Sequence, residues 1–169
     1  LQQWNQGGYG GQWVGAEAIL SPQLLSDLSD VVEGMYITSP QTANSETFQS
    51  NMGGTGNITQ FAPHAYDATY LMGFAMEAAG EASGTGIAQN VRSVSRPNGD
   101  GDTAVSVGEF EAGAEAVRNG ENIDYNGASG SVDLNQNLEP VVPYRILQVQ
   151  GGEASVTEEV PLSYFEGKI

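Results

Sequence analysis

A chain of 169 residues, 39% hydrophobic and without cysteine, is long enough to bury one core and cannot carry disulfides, thiolate zinc sites or cysteine nucleophiles. Its charge is one-sided: 21 acidic residues against 5 basic ones leave a net charge of −16, which makes nucleic acid and anionic membrane surfaces poor partners. No stretch reaches the ~20 apolar residues of a membrane helix and nothing resembles a secretory leader, so length predicts one folded unit at most.

The acidic residues are scattered along the chain and read as a solvated acidic surface. Their mutual repulsion is screened at molar salt, where the Debye length is only about 3 Å, which predicts a protein that works in high salt. The chain begins at Leu1 and reads as a mature or cleaved piece. His64 is the single histidine, which leaves little room for a histidine metal cluster. It is the only available base for a serine triad, and at the start of a helix it reads as structural or solvated.

In chain order, Gly10-Gly11 turns into QWVGAEAIL, whose Trp13 and Val14 predict a short buried strand. Ser21 is a good N-cap and Pro22 suits the first helical position. Leu24, Leu25, Leu28 and Val31 or Val32 follow at helical spacing. GMYITSP at 34–40 predicts a second buried strand, stopped by Pro40. The order strand, helix, strand favours a parallel α/β unit.

Residues 41–60 are polar and glycine-bearing, which predicts a loop with a short helix near Phe48. Pro63 opens the longest helix, 63–79, with Tyr66, Tyr70, Leu71 and Phe74 on one side and Ala68, Met72, Ala75 and Ala79 on another. Apolar nearly all round, it should be buried. An aromatic stripe at this spacing is core before it is a ligand box. A shorter helix is predicted from about Ile87 to Val94, and another from Val107 to a cap at Asn119-Gly120. IDYNGASGSVDL and VVPYRILQVQ read as strands around a glycine-rich bend, and a last short strand is predicted at 154–157.

One stretch carries metal-like spacing. In NGDGDTAVSVGEF (98–110), Asn98, Asp100, Asp102, Ser106 and Glu109 fall at positions 1, 3, 5, 9 and 12 of a calcium loop. Position 6, where the chain must turn sharply, is the β-branched Thr103, and Pro97 would break the entering helix. Ser106 and Glu109 equally make an S-x-x-E capping box, with Val105 and Phe110 as its hydrophobic staple. The residues therefore serve a helix start without an ion, and NGDGD becomes a solvated acidic turn.

GQWVGAEAILSP, EGMYITSP, AYDATYLMGFAMEAAG, IDYNGASGSVDLNQN and PYRILQV, in this order, resemble the latter part of periplasmic-type (type I, receptor-family) solute-binding proteins of ABC transporters for branched-chain amino acids and amides. YDA in the alanine-rich helix and Y-x-G-A-S-G are the most telling matches. The resemblance covers most of this chain but about the second half of a family member. It implies an α/β fold made of parts of two Rossmann-like lobes with parallel sheets. Residues 1–40 would be the end of the second lobe. Residues 41–169 would bring the returning helices and crossover strands that complete both lobes, so that the chain is a fragment of one two-lobed protein.

The resemblance further implies no enzymatic activity and no cofactor. It implies a small amino acid or amide as ligand, a membrane permease and the missing N-terminal half as partners, and an extracellular, cell-surface location, lipid-anchored through that absent N-terminus. In the family an acidic residue just after the strand holds the ligand's α-amino group, and that place is Glu17. From the residues alone, Glu17 is the only charged residue among the first 26 and sits at the carboxyl end of a predicted strand, where open α/β sheets bind ligands. The alternative from another class is a calcium-stabilised cell-surface module using Asn98, Asp100, Asp102 and Glu109. Uptake and sensing would look alike.

Overall fold

The computed structural model describes residues 1–43, 45–52 and 61–165. The chain divides into two compact units, Leu1–Gln41 with Pro143–Ile169, and Thr42–Val142. The single unit expected from length gives way because the hydrophobic residues gather around two separate sheets, each with its own core.

The first unit starts with a short exposed helix α1 (Gln2–Gln6), which the glutamine-rich sequence did not announce. Strand β1 (Val14–Ala16) leads through one 3-10 turn into α2 (Pro22–Asp27), then α3 (Ser29–Val32) and β2 (Tyr36–Pro40). Ser21 caps α2 as its sequence predicts, its Oγ accepting from Leu24 N–H at 3.4 Å. The predicted single helix is instead two, broken at Leu28, whose φ of −112° and ψ of 17° are not helical. The break turns Leu25 and Val32 into the core and leaves Leu24 exposed.

β1 and β2 pair in parallel, as strand-helix-strand order requires. The sheet then departs from the all-parallel expectation. β5 (Tyr144–Gln150) runs antiparallel to β2, and β6 (Glu153–Val160) antiparallel to β5, giving the order β1-β2-β5-β6. Gly151 and Gly152 form the two-residue turn of that hairpin with φ of 61° and 82°, the backbone a type I′ turn demands. β6 is consequently twice the length predicted at 154–157. Ile37, Leu147 and Val149 share the covered face with Leu25, Val32 and Met35.

The second unit contains α4 (Ser45–Asn51), α5 (Ala62–Ala79), α6 (Gly84–Asn90), β3 (Thr103–Ser106), α7 (Phe110–Arg118) and β4 (Ile123–Asn126). The short helix near Phe48 is α4; residues 53–60 of the predicted loop lie outside the described residues. α6 starts three residues earlier than predicted because Ser83 caps it, its Oγ accepting from Gly86 N–H at 2.9 Å. β3 and β4 form a parallel pair joined through α7, and α5 and α7 cover it. β3 lies inside the stretch read as a loop, its four residues too few to show a period. After β4, the glycine-rich segment forms the predicted bend, and the residues beyond it make only isolated bridges.

α5 and α7 interlock through two glycines. A Cβ on Gly73 would strike the Phe110 ring at 2.5 Å, and one on Gly113 would strike the Phe74 ring at 2.7 Å. Each glycine seats the other helix's aromatic, and the two rings stack at 5.1 Å. α5 is less enclosed than its composition predicts: Leu71, Phe74 and Ala75 are buried, but Ala68 and Met72 stay exposed.

Candidate functional site

Glu17 follows β1 directly and opens the 3-10 turn Glu17–Ile19. It therefore stands at the carboxyl edge of the parallel β1-β2 pair, half-buried, and no described residue donates a hydrogen bond to its carboxylate. Beside it, Ser39 at the end of β2 is fully buried, and Ser39 pairs with Arg145 of β5. Because β5 is antiparallel, its start lies at the same edge as the ends of β1 and β2. Ser39 and Arg145 continue the face of Ile37 and Leu147, one pleat further on. Arg145 Nε is buried without a hydrogen-bond partner. This edge thus carries a carboxylate and a guanidinium on strands whose backbones lie two strand spacings, about 10 Å, apart. Such an arrangement can accept a hydrogen bond from an ammonium group and offer one to an anionic oxygen.

The tyrosines of α5 are half-buried and pack against the core, as their spacing predicts. Tyr66 stacks on Tyr70 at 4.4 Å, Tyr70 on Tyr125 at 5.5 Å, and Phe48 meets Tyr66 edge-on. The Tyr66 hydroxyl donates to the Tyr70 hydroxyl at 2.6 Å and accepts from Gly108 N–H at 3.0 Å. Burial, reinforced by the bond to Tyr70, pushes the Tyr66 phenol up to about 12. His64 packs beside the Phe61 ring, and its Nδ1 has no hydrogen-bond partner.

Asp67 is the buried carboxylate of this unit. Its Oδ1 accepts from the Tyr125 hydroxyl at 2.8 Å and Ala128 N–H at 2.7 Å; its Oδ2 accepts from Ser129 N–H at 2.8 Å and the Ser129 hydroxyl at 2.5 Å. Four donors satisfy one charge, and two of them are backbone groups of a turn that would otherwise be buried unpaired. Gly127 has no room for a side chain, since a Cβ there would run into the Asp67 carboxylate. YDA and Y-x-G-A-S-G are thus two halves of one structural clamp. Burial, then the nearby Asp67 charge, raise the Tyr125 phenol above its usual range.

In the 98–109 stretch the carboxylates turn onto their own backbone. Asp102 Oδ2 accepts from the N–H groups of Asn98 at 2.5 Å and Gly99 at 3.2 Å, while Asp100 sits in an exposed turn. Glu109 Oε2 accepts from Ser106 N–H at 2.8 Å, which is the acidic half of the predicted capping box. The helix itself begins at Phe110, later than predicted, with Glu109 in the cap position. Val105 and Phe110 pack in one core, as a staple would place them. Among the described residues no three histidine or carboxylate groups converge on a metal position.

The receptor family ligand-binding region matches residues 2–152. The chain belongs to this family. It is 29% identical over 159 residues to the chemotactic signal transduction system substrate-binding protein BasB of Halobacterium salinarum, covering 92% of this chain and 38% of that protein. The crystal structure of the leucine-binding protein LivK of Thermotoga maritima has the same fold over 94% of this chain and 40% of its own, with a TM-score of 0.59 and 19% identity. The chain spans about two fifths of the length of these relatives. The α/β receptor-family fold that the sequence implied is therefore established.

Receptor-family membership leaves two features that sequence reasoning missed. Arg145 and Ser39 lie more than a hundred residues apart, and only the β2–β5 register puts them at one edge. Asp67 carried a signal, the acid in an otherwise apolar helix face, but its partners sit near residue 128. Among the described residues no helix is long and apolar enough to cross a membrane.

Proposed function

We propose that the chain is part of an extracellular solute-binding receptor that holds a small amino acid or amide and hands its signal or its cargo to a membrane partner, an ABC importer or a chemotaxis system. The family match over residues 2–152 carries this reading, and the substrate-binding relative in a chemotactic system supports the signalling branch. The two compact units correspond in this reading to the parts of two lobes, completed by the portion of the relatives, about three fifths of their length, that this chain does not span.

Glu17 accepts the ligand's ammonium group. Its position at the carboxyl edge of β1, with no described donor engaged, supports the role. A half-desolvated carboxylate facing an ammonium makes a strong charge-assisted bond. Arg145, at the same edge with its Nε unpaired, supplies the opposite charge that a zwitterion needs. The acidic surface suits this receptor to concentrated salt.

The test is calorimetric titration of the complete protein with a panel of amino acids, wild type against Glu17→Gln. Loss of about tenfold or more in affinity is expected, the equivalent of about 1.4 kcal/mol. Unchanged affinity removes Glu17 from the site. Absence of binding to any amino acid or amide by the wild type overturns the reading itself.

A further inference from the structure

Two of the five cations of this acidic chain stand side by side on the second unit. Arg92 and Arg96 line one surface cavity of about 500 Å³ together with Gln89, Ser93, Pro97 and Asn98. No described carboxylate lies within 4 Å of either guanidinium; the ion pair of the described residues is Arg118 with Glu77. Both follow the end of α6 at Asn90, and two like charges lining one cavity repel each other. With 21 acids available, leaving two cations adjacent and unpaired gives the fold no stability. It does give an approaching anion a positive pocket in an otherwise negative surface.

The pocket is also held in shape. Arg92 Nε donates to Asn135 C=O at 3.1 Å, which anchors the base of the guanidinium and leaves its outer N–H groups to the cavity. Between the arginines, Val94 and Ser95 are buried. Ser95 Oγ donates to Arg92 C=O at 2.9 Å and accepts from Leu134 N–H at 3.2 Å. On the far side the Asn98 amide donates to Ser93 C=O at 3.0 Å and Arg96 C=O at 3.3 Å, closing the turn. Asp102, the nearest acid along the chain with a hydrogen bond, spends one oxygen on the N–H groups of Asn98 and Gly99.

We propose that Arg92 and Arg96 form a binding site for an oxyanion, a carboxylate or phosphate, separate from the Glu17 edge. Two planar guanidiniums present forks of N–H donors that match two-oxygen anions, a geometry lysine does not reproduce. The anion is either free in solution or borne by an acidic segment of a partner protein.

The experiment uses the complete protein with ¹⁵N-labelled arginine, titrated at constant chloride and ionic strength with inorganic phosphate, with acetate and with an oligoglutamate peptide. Saturable shifts of the Arg92 and Arg96 side-chain signals are expected at millimolar ligand or below, with Arg118 unmoved as internal control. In calorimetric titrations with the same three ligands, Arg92→Gln with Arg96→Gln should abolish binding, and the double lysine variant should weaken it several-fold while keeping the charge. Tighter binding of phosphate or acetate assigns the site to a free anion; tighter binding of the peptide assigns it to a partner. Non-saturating shifts with all three ligands, or binding unchanged in the double glutamine variant, overturn the proposal. Circular dichroism of each variant separates lost binding from lost fold.

Discussion

Asp67 in the second turn of α5 holds Ser129 by two hydrogen bonds to one oxygen, from the backbone N–H at 2.8 Å and the hydroxyl at 2.5 Å, across 62 residues of chain. The same carboxylate takes Tyr125 and Ala128 on its other oxygen. Asp67→Ala should therefore cost about 3–5 kcal/mol, since it takes the acceptor from two buried backbone donors and from the Tyr125 and Ser129 hydroxyls. Asp67→Asn should cost less but stay destabilising, because its NH₂ faces donors. Urea unfolding followed by tyrosine fluorescence measures both, and a loss under about 0.5 kcal/mol for Asp67→Ala contradicts the clamp.

The Gly73 and Gly113 seats predict steric rather than chemical sensitivity. Gly113→Ala pushes a methyl into the Phe74 ring and should destabilise by about 1–3 kcal/mol, despite the better helix propensity of alanine. Combining it with Phe74→Leu should recover part of the loss. A stabilising Gly113→Ala would show that the helices do not approach this closely.

Tyrosine ionisation should be split. Tyr66 has its folded value raised from 10.0 to about 12, so the stability it contributes is fully present below pH 10 and is lost as pH rises toward about 12. Phenolate absorbance should rise in an early phase from the exposed tyrosines and a late phase that coincides with unfolding. Tyr66→Phe should shrink the late phase. A single transition at pH 10 with the fold intact would contradict the buried network.

Asp124 gives the opposite lever at neutral pH. Burial first, then Asp133 and Asp102, raise its carboxyl above 3.8, so its favourable contribution exists only while it is protonated and is lost as pH rises through that raised value. Asp124→Asn should stabilise the protein at pH 7, by less than about 1 kcal/mol for a partly solvated group. The gain should vanish below pH 3.8. Thermal melts at both pH values check it.

Salt should stabilise the whole molecule. With a net charge of −16 and few cations to offset it, raising salt from 0.1 M to 1 M shortens the Debye length from about 10 Å to about 3 Å and removes most of the self-repulsion. Tm should climb steadily across that range in potassium chloride. A flat profile in dilute buffer would count against a high-salt habitat.

Local chemistry was enough wherever a few neighbouring residues settle the matter. Ser21-Pro22 starts a helix, Pro40 stops a strand, the alanine-rich stretch from Pro63 is helical, and one-sided charge sets the surface. The order of motifs was enough for the family. The hairpin turn at Gly151-Gly152 was not read from the sequence, and the acidic run after it hid most of the strand it starts. Tertiary structure decided the rest because the partners are distant in sequence. Nothing near Asp67 names Tyr125, Ala128 and Ser129 as its donors. Nothing near Arg145 places it at the edge where Glu17 follows β1; that comes from β5 entering antiparallel. The four residues of β3 become a strand only because β4 offers the matching row of backbone groups. Burial and hydrogen-bond pairing are satisfied across the fold, and a reading along the chain sees only one side of each pair.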